Sequence, residues 1–230
     1  QLGILIETMR REGFELSVSR PKVLFRRNDH GELLEPIEEV VIDLDAEHSG
    51  IVVQKLSERK GELLEMRPSG GGRQRLVFYV PTRGLIGYQG ELLTDTRGTG
   101  IMNRLFHAYA PYKGEIQGRR NGVLISTEAG EAVAYALWNL EDRGPMMIDP
   151  GVRVYAGMIV GEHTRDNDLE VNVLKGKKLT NIRTTSKDEA VRLTPPIRMT
   201  LERALAYIQD DELVEVTPKT IRLRKRHLDS

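Results

Sequence analysis

The residues with the plainest capacity for chemistry lie between Leu174 and Lys187. In LKGKKLTNIRTTSK, Lys175, Lys177, Lys178, Arg183 and Lys187 supply five cations and no acid is present. Gly176, Thr180, Asn181, Thr184, Thr185 and Ser186 fill the positions between them. Cations neutralise phosphates, while hydroxyl and amide side chains hydrogen-bond to phosphate oxygens and 2′-hydroxyls. Only Leu174, Leu179 and Ile182 could anchor this stretch, too few for a packed helix or strand, so a long loop is expected; such loops in compact domains are functional or disordered. A second basic cluster is TIRLRKRHL, residues 220–228. Period two places Ile221 and Leu223 inward and Arg222, Arg224 and Arg226 on one outer face, with Lys219 and Lys225 nearby. Its competing reading is a charged edge strand that discourages pairing. Neither cluster meets an acid until Asp188 and Asp229, and together they point to a polyanion, most simply RNA.

Other chemistries find little support. RGTGIMN, residues 97–103, offers two glycines of a dinucleotide fingerprint, but Asn103 replaces the third and a strand follows instead of a helix. SGGGR, residues 69–73, lacks the Lys-Ser/Thr ending of a P-loop and sits between two strand patterns. His30, His48, His107, His163 and His227 form no i, i+4 pair. Glu162, His163, Asp166 and Asp168 are close enough to raise a metal-dependent hydrolase, yet RDND is a turn sequence with no second ligand set. The chain has no cysteine, which removes thiolate ligands, thiol nucleophiles and disulfides and is compatible with a reducing cytoplasm. No GxSxG elbow occurs. No catalytic residue and no metal ligand is therefore assigned.

These residues must be positioned by a chain of 230 residues with 34 basic and 34 acidic side chains. Attraction to a polyanion must come from where the charges sit. No apolar run reaches the roughly 18 residues needed to span a bilayer, and no signal-peptide pattern opens the chain. Beginning at Gln1 directly on helical periodicity (Leu2, Leu5, Ile6, Met9), it reads as a piece of something longer. Phe14–Ser19 and Lys22–Arg27 are extended, and Asn28–Gly31 is a turn and expected boundary. Six elements follow: strand Ile37–Leu44, helix Glu47–Arg59, strand Leu63–Met66, strand Arg75–Val80, helix Thr82–Thr96 and strand Ile101–Tyr109. This βαββαβ order is the split-βαβ plait, an antiparallel sheet with both helices on one face. Glycines 84, 87 and 90 inside the second helix imply close backbone approach. Beyond Gly114 the chain is strand-rich with two helices, one capped by Ser126 or Thr127 and burying Ala132, Val133, Ala136, Leu137 and Leu140, the other capped by Thr200. Leu213–Thr217 and Thr220–His227 make a closing hairpin.

MRREGFELSVSRPKV, PTRGLIGYQGEL, RGTGIMN, NGVLIS, DRGPM, NDLEVNVLKGKKLTNIR and DEAVRLTPPIRMTLERAL with DDELVEVTPKTIRLRKR closely resemble the BipA/TypA family of translational GTPases, over essentially the whole chain. The resemblance implies an α+β fold: residues 1–33 as the last helix and strand of domain III, 34–113 as a domain V like that of elongation factor G, and 114–230 as a family-specific C-terminal domain carrying the basic loop 174–187. The GTPase motifs are absent, so GTP and Mg²⁺ are expected in an N-terminal half outside this chain, with no cofactor here. The implied partners are the 70S ribosome or 50S subunit, 23S rRNA, the acceptor end of A-site tRNA and the family's own GTPase domains, in the cytoplasm and without a membrane. The implied function is large-subunit assembly and stress or cold adaptation. RNA contact is assigned to Lys175, Lys177, Lys178, Thr180, Asn181, Arg183 and Lys187, with Arg222, Arg224 and Arg226 secondary. The rival reading is a small-molecule-sensing regulatory module, a role that plaits of this order also serve.

Overall fold

The computed structural model describes residues 2–13, 15–116, 121–175 and 192–227. They form two compact units, Pro21–Arg119 and the combination of Gln1–Arg20 with Arg120–Ser230. The chain opens with helix α1 (Leu2–Arg11) and strand β1 (Leu16–Ser19), both in the second unit.

The first unit contains β2 (Arg26–Arg27), β3 (Leu33–Asp45), α2 (Ser49–Glu58), β4 (Glu62–Gly70), β5 (Arg73–Pro81), α3 (Tyr88–Asp95) and β6 (Ile101–Pro111). All pairings are antiparallel: β5 lies between β3 and β4, β6 pairs β3 on its other side, and β2 pairs the start of β3. This is the expected plait. Alternation along β3 and β5 sends Val40, Ile42, Leu44, Leu76, Phe78 and Val80 to one face, where each is fully buried. Val52 and Leu56 of α2 and Tyr88 and Leu92 of α3 close over that face in a single core. Burying each such side chain contributes about 1.5–3 kcal/mol.

The helix expected over 82–96 is broken. Thr82–Leu85 is a 3-10 turn, Ile86 is extended, and Gly87 takes φ 72° before α3 begins. A left-handed residue ends one helical segment and a glycine adopts it without a Cβ clash. Gly84 is needed for another reason: a Cβ there would lie 2.5 Å from the Arg59 carbonyl oxygen. The close approach is thus to the end of α2. Arg59 completes the junction by donating to the carbonyls of Gly84 and Ile86, at 2.8 and 2.9 Å, and to Glu91 at 3.0 Å.

Asn28–Gly31 is the turn of the β2–β3 hairpin, where the Asn28 side-chain oxygen accepts from the amides of His30 and Glu32. The division between units falls at Arg20/Pro21, not at this turn, so the segment 1–33 is shared between the two.

The second unit adds β7 (Val123–Ser126), β8 (Gly130–Glu131), α4 (Ala134–Leu140), β9 (Arg153–Val154), β10 (Ile159–Glu162), β11 (Leu169–Val171), α5 (Leu201–Tyr207), β12 (Glu212–Val216) and β13 (Ile221–Lys225). β7 pairs β10 antiparallel and β11 parallel, and β8 pairs β9. The closing hairpin β12–β13 forms as expected, and β1 adds to β12 with Leu16 opposite Val216 and Val18 opposite Val214. Ile6 of α1 enters the same core as Leu201, Ala204, Ile208, Val214 and Leu223. The helix expected after Ser126 and Thr127 starts later than that. Ser126 and Thr127 donate their hydroxyls to Glu128 and Val171 carbonyls instead of capping, and α4 begins after Val133 with no side-chain cap. Thr200 does cap α5, accepting from the Arg203 amide at 3.2 Å. Among the described residues no helix is long and apolar enough to cross a membrane.

Candidate nucleic-acid interface

The basic segment has two described ends, and both are fixed. Val173 is fully buried, its carbonyl accepting from the Val133 amide, and Leu174 packs against the core that holds Leu124, Met146, Met158 and Val171. The Leu174 amide donates to Asn172 Oδ1 at 2.8 Å, and at Lys175 the chain is exposed. On the far side Leu193 packs against that same core, the Thr194 amide donates to Glu141 Oε1 at 2.7 Å, and the Ile197 amide donates to the Met146 carbonyl at 2.8 Å. Lys177, Lys178, Thr180, Asn181, Arg183 and Lys187 lie outside the described residues. What is established is that the segment leaves from and returns to one core.

The three arginines expected on one outer face of β13 have different surroundings. Arg224 is ion-paired to Glu215 at 2.6 Å with only 17% of its side chain exposed, and it also donates to the carbonyls of Lys225 and Arg226. Arg222 has no carboxylate partner among the described residues, and Arg226 is exposed. Lys225 is held by Asp168, Asp211 and Glu212 at 2.6, 2.9 and 2.9 Å. Burial alone would lower its pKa, but hydrogen bonds to those three carboxylates outweigh it and the ammonium titrates above the ordinary lysine range. Burial, with Glu215 beside it, keeps the Tyr155 hydroxyl neutral well beyond the usual range, the nearby Arg224 and Arg222 opposing this. The strand is not a bare edge: beyond β12 on one side, its other side meets Met158 through a β-bridge and the Gly157 carbonyl through the Lys225 amide.

The Glu162–Asp168 group has structural partners. Tyr207 donates its hydroxyl to Glu162 at 2.8 Å, His163 is buried with Nδ1 donating to the Asn167 carbonyl at 2.6 Å, and Asp168 accepts the Val123 amide as well as Lys225.

Sequence patterning missed a further grouping. Arg153, Arg198 and Arg222, far apart in the chain, border one cleft of about 530 Å³ whose lining includes Met147, Met158, Ile197 and Met199. Arg153 and Arg198 expose 78% and 73% of their side chains; of their partners, Glu131 at 4.0 Å is largely open to solvent and Asp149 at 2.7 Å is half-buried. No local signal could have joined three arginines on three separate segments.

Residues 32–120 match the family described as the elongation factor G C-terminus, and residues 121–230 match the TypA/BipA C-terminal domain. An elongation-factor-type plait joined to a TypA/BipA-type domain is thus the class that fold and matches define. Over 228 residues the chain is 57% identical to the large ribosomal subunit assembly factor BipA of Escherichia coli K12 and 53% identical to that of Haemophilus influenzae, covering 99% of this chain and 37% of each relative. The Bacillus subtilis factor of the same name is 51% identical over 229 residues, again 99% of this chain and 37% of the relative. The chain belongs to the TypA/BipA family and corresponds to the C-terminal part of these relatives, spanning little more than a third of their length.

Proposed function

We propose that this chain is the ribosome-docking, RNA-contacting C-terminal part of a translational GTPase that acts in large-subunit assembly and in stress or cold adaptation in the cytoplasm. The observation that carries it is the pair of anchored ends at Val173–Leu174 and Leu193–Thr194, which hold between them a stretch whose residues 174–187 carry five cations before the first acid, Asp188, on a domain whose relatives are named for large-subunit assembly. Partners of this chemistry are the 50S subunit or 70S ribosome, through 23S rRNA and the acceptor end of an A-site tRNA. Loop cations neutralise phosphates, Thr180 and Asn181 hydrogen-bond to backbone or sugar, and Arg183 is the best candidate for a bidentate or stacked contact.

On this reading GTP hydrolysis, with its GTP and Mg²⁺, belongs to an N-terminal portion of the parent protein and not to this chain. The glycine-rich stretches of this chain do not fit a nucleotide. Gly70–Gly72 link β4 to β5, and Gly98 and Gly100 lead into β6 and not into a helix.

The test is co-sedimentation of this chain with 50S subunits and 70S ribosomes, beside a folded Lys175/Lys177/Lys178/Arg183→Ala variant. Binding that the variant loses is the expected result. Equal binding by both would move the contact to the plait or the terminal hairpin.

A further inference from the structure

We propose that the cleft bordered by Arg153, Arg198 and Arg222 takes a single unpaired RNA nucleotide, its base against the methionine-rich floor and its flanking phosphates on the arginines. This rests on the RNA-binding reading of the C-terminal unit and adds a second, shape-selective contact to it.

The cleft of about 530 Å³ falls in the range of sites that enclose small ligands. Its floor is apolar: Met158, Ile159 and Leu223 are buried there, and Met147, Ile197 and Met199 are half-buried around them. Thioethers are polarizable, fit irregular outlines and contact aromatic edges favourably, so three methionines form a floor that accepts a flat base without selecting its identity.

The rim decides the ligand's charge. Among the residues that line the cleft, three arginines accompany a single acid, Asp149, which Arg198 already engages at 2.7 Å. Arg222 has no carboxylate partner among the described residues, and the Arg153 pair at 4.0 Å is largely exposed, hence weak. An apolar floor beneath a cationic rim matches a group that is flat and apolar in the middle and anionic at its edges. Guanidinium planes both bind phosphate and stack on bases. A duplex keeps its bases stacked inside and offers only phosphates, so an unpaired nucleotide is the form that fills the cleft.

Fluorescence anisotropy of this chain with a labelled single-stranded pentaribonucleotide, and with the same oligonucleotide carrying an abasic central ribose, tests it. One stacked base accounts for roughly tenfold in affinity, so the intact RNA is expected to bind about that much tighter. Met199→Gln is expected to erase this ratio while leaving abasic binding in place, and Arg222→Gln to weaken both. The Lys175/Lys177/Lys178/Arg183→Ala variant is expected to weaken both RNAs and preserve the ratio; a ratio lost in that variant would assign the base contact to the basic segment and overturn the proposal. Equal binding of the two RNAs by the unmodified chain would refute the cleft and leave RNA binding standing. Binding of neither RNA would refute both readings, and the comparison on the unmodified chain needs no variant to fold.

Discussion

Arg222 and Arg224 stand two residues apart on β13, yet one has no carboxylate partner among the described residues and the other is paired to Glu215 at 2.6 Å. Their roles should separate by measurement. Arg224→Gln leaves Glu215 half-buried and unpaired and is expected to cost about 1–2 kcal/mol in urea unfolding with little change in RNA affinity. Arg222→Gln is expected to do the reverse. Lys225→Met strands three carboxylates around a site where the ammonium was only 13% exposed, a loss of about 3 kcal/mol. The folded pKa of Lys225 lies above its ordinary value of 10.5, so its contribution is complete below that value and declines only as pH rises through the folded one. The stability gap between the two proteins should therefore stay constant from neutral pH to about pH 10; a gap that closes within that window would contradict the assignment. The cations of β13 were legible in the sequence, but their neutralisation was not. The acids come from Asp168, Asp211, Glu212 and Glu215, brought in by the antiparallel register and by the connection between β10 and β11, not from TIRLRKRHL itself.

The plait was legible element by element because its strands alternate cleanly and its helices keep a single apolar face. The second helix was read as continuous since Leu85, Ile86, Leu92 and Leu93 hold helical spacing across the break. The signal of the break was the glycine pair itself, Gly87 at φ 72° and Gly84 against the Arg59 carbonyl. Gly84→Ala forces a backbone contact 2.5 Å long to open, with an expected cost of roughly 2 kcal/mol seen as a lower urea midpoint by circular dichroism. An unchanged midpoint would mean that the α2–α3 junction yields freely. In the second unit Ser126 and Thr127 have the right chemistry for a cap, but the chain continues through β8 before α4 starts. Cap residues mark a helix start only when the following turn is helical, and Gly130, bridged to Val154, is not.

At the scale of the whole chain, the pairing of β1 with β12 joins residues nearly the full sequence apart, and no local pattern encodes it. The amphipathic spacing of α1 was visible; the core it serves, among Leu201, Ile208 and Val214, was not. Trp138 is the single tryptophan and lies in that unit, so its fluorescence follows the unfolding of that part. Ile6→Ala, at a position 3% exposed, is expected to lower that transition by about 3 kcal/mol; no shift would mean that residues 1–20 add nothing to the second unit. A formal charge of zero conceals the uneven placement on which RNA binding depends, a segment of cations held at both ends by one core. The most direct measurement places a photo-crosslinker at residue 178 and, as a control, at Glu58 on α2, and maps the products on 50S subunits. Crosslinks to ribosomal RNA from position 178 and none from position 58 are the predicted result. Crosslinks from position 58 with none from 178 would contradict the assignment of RNA contact to the basic segment.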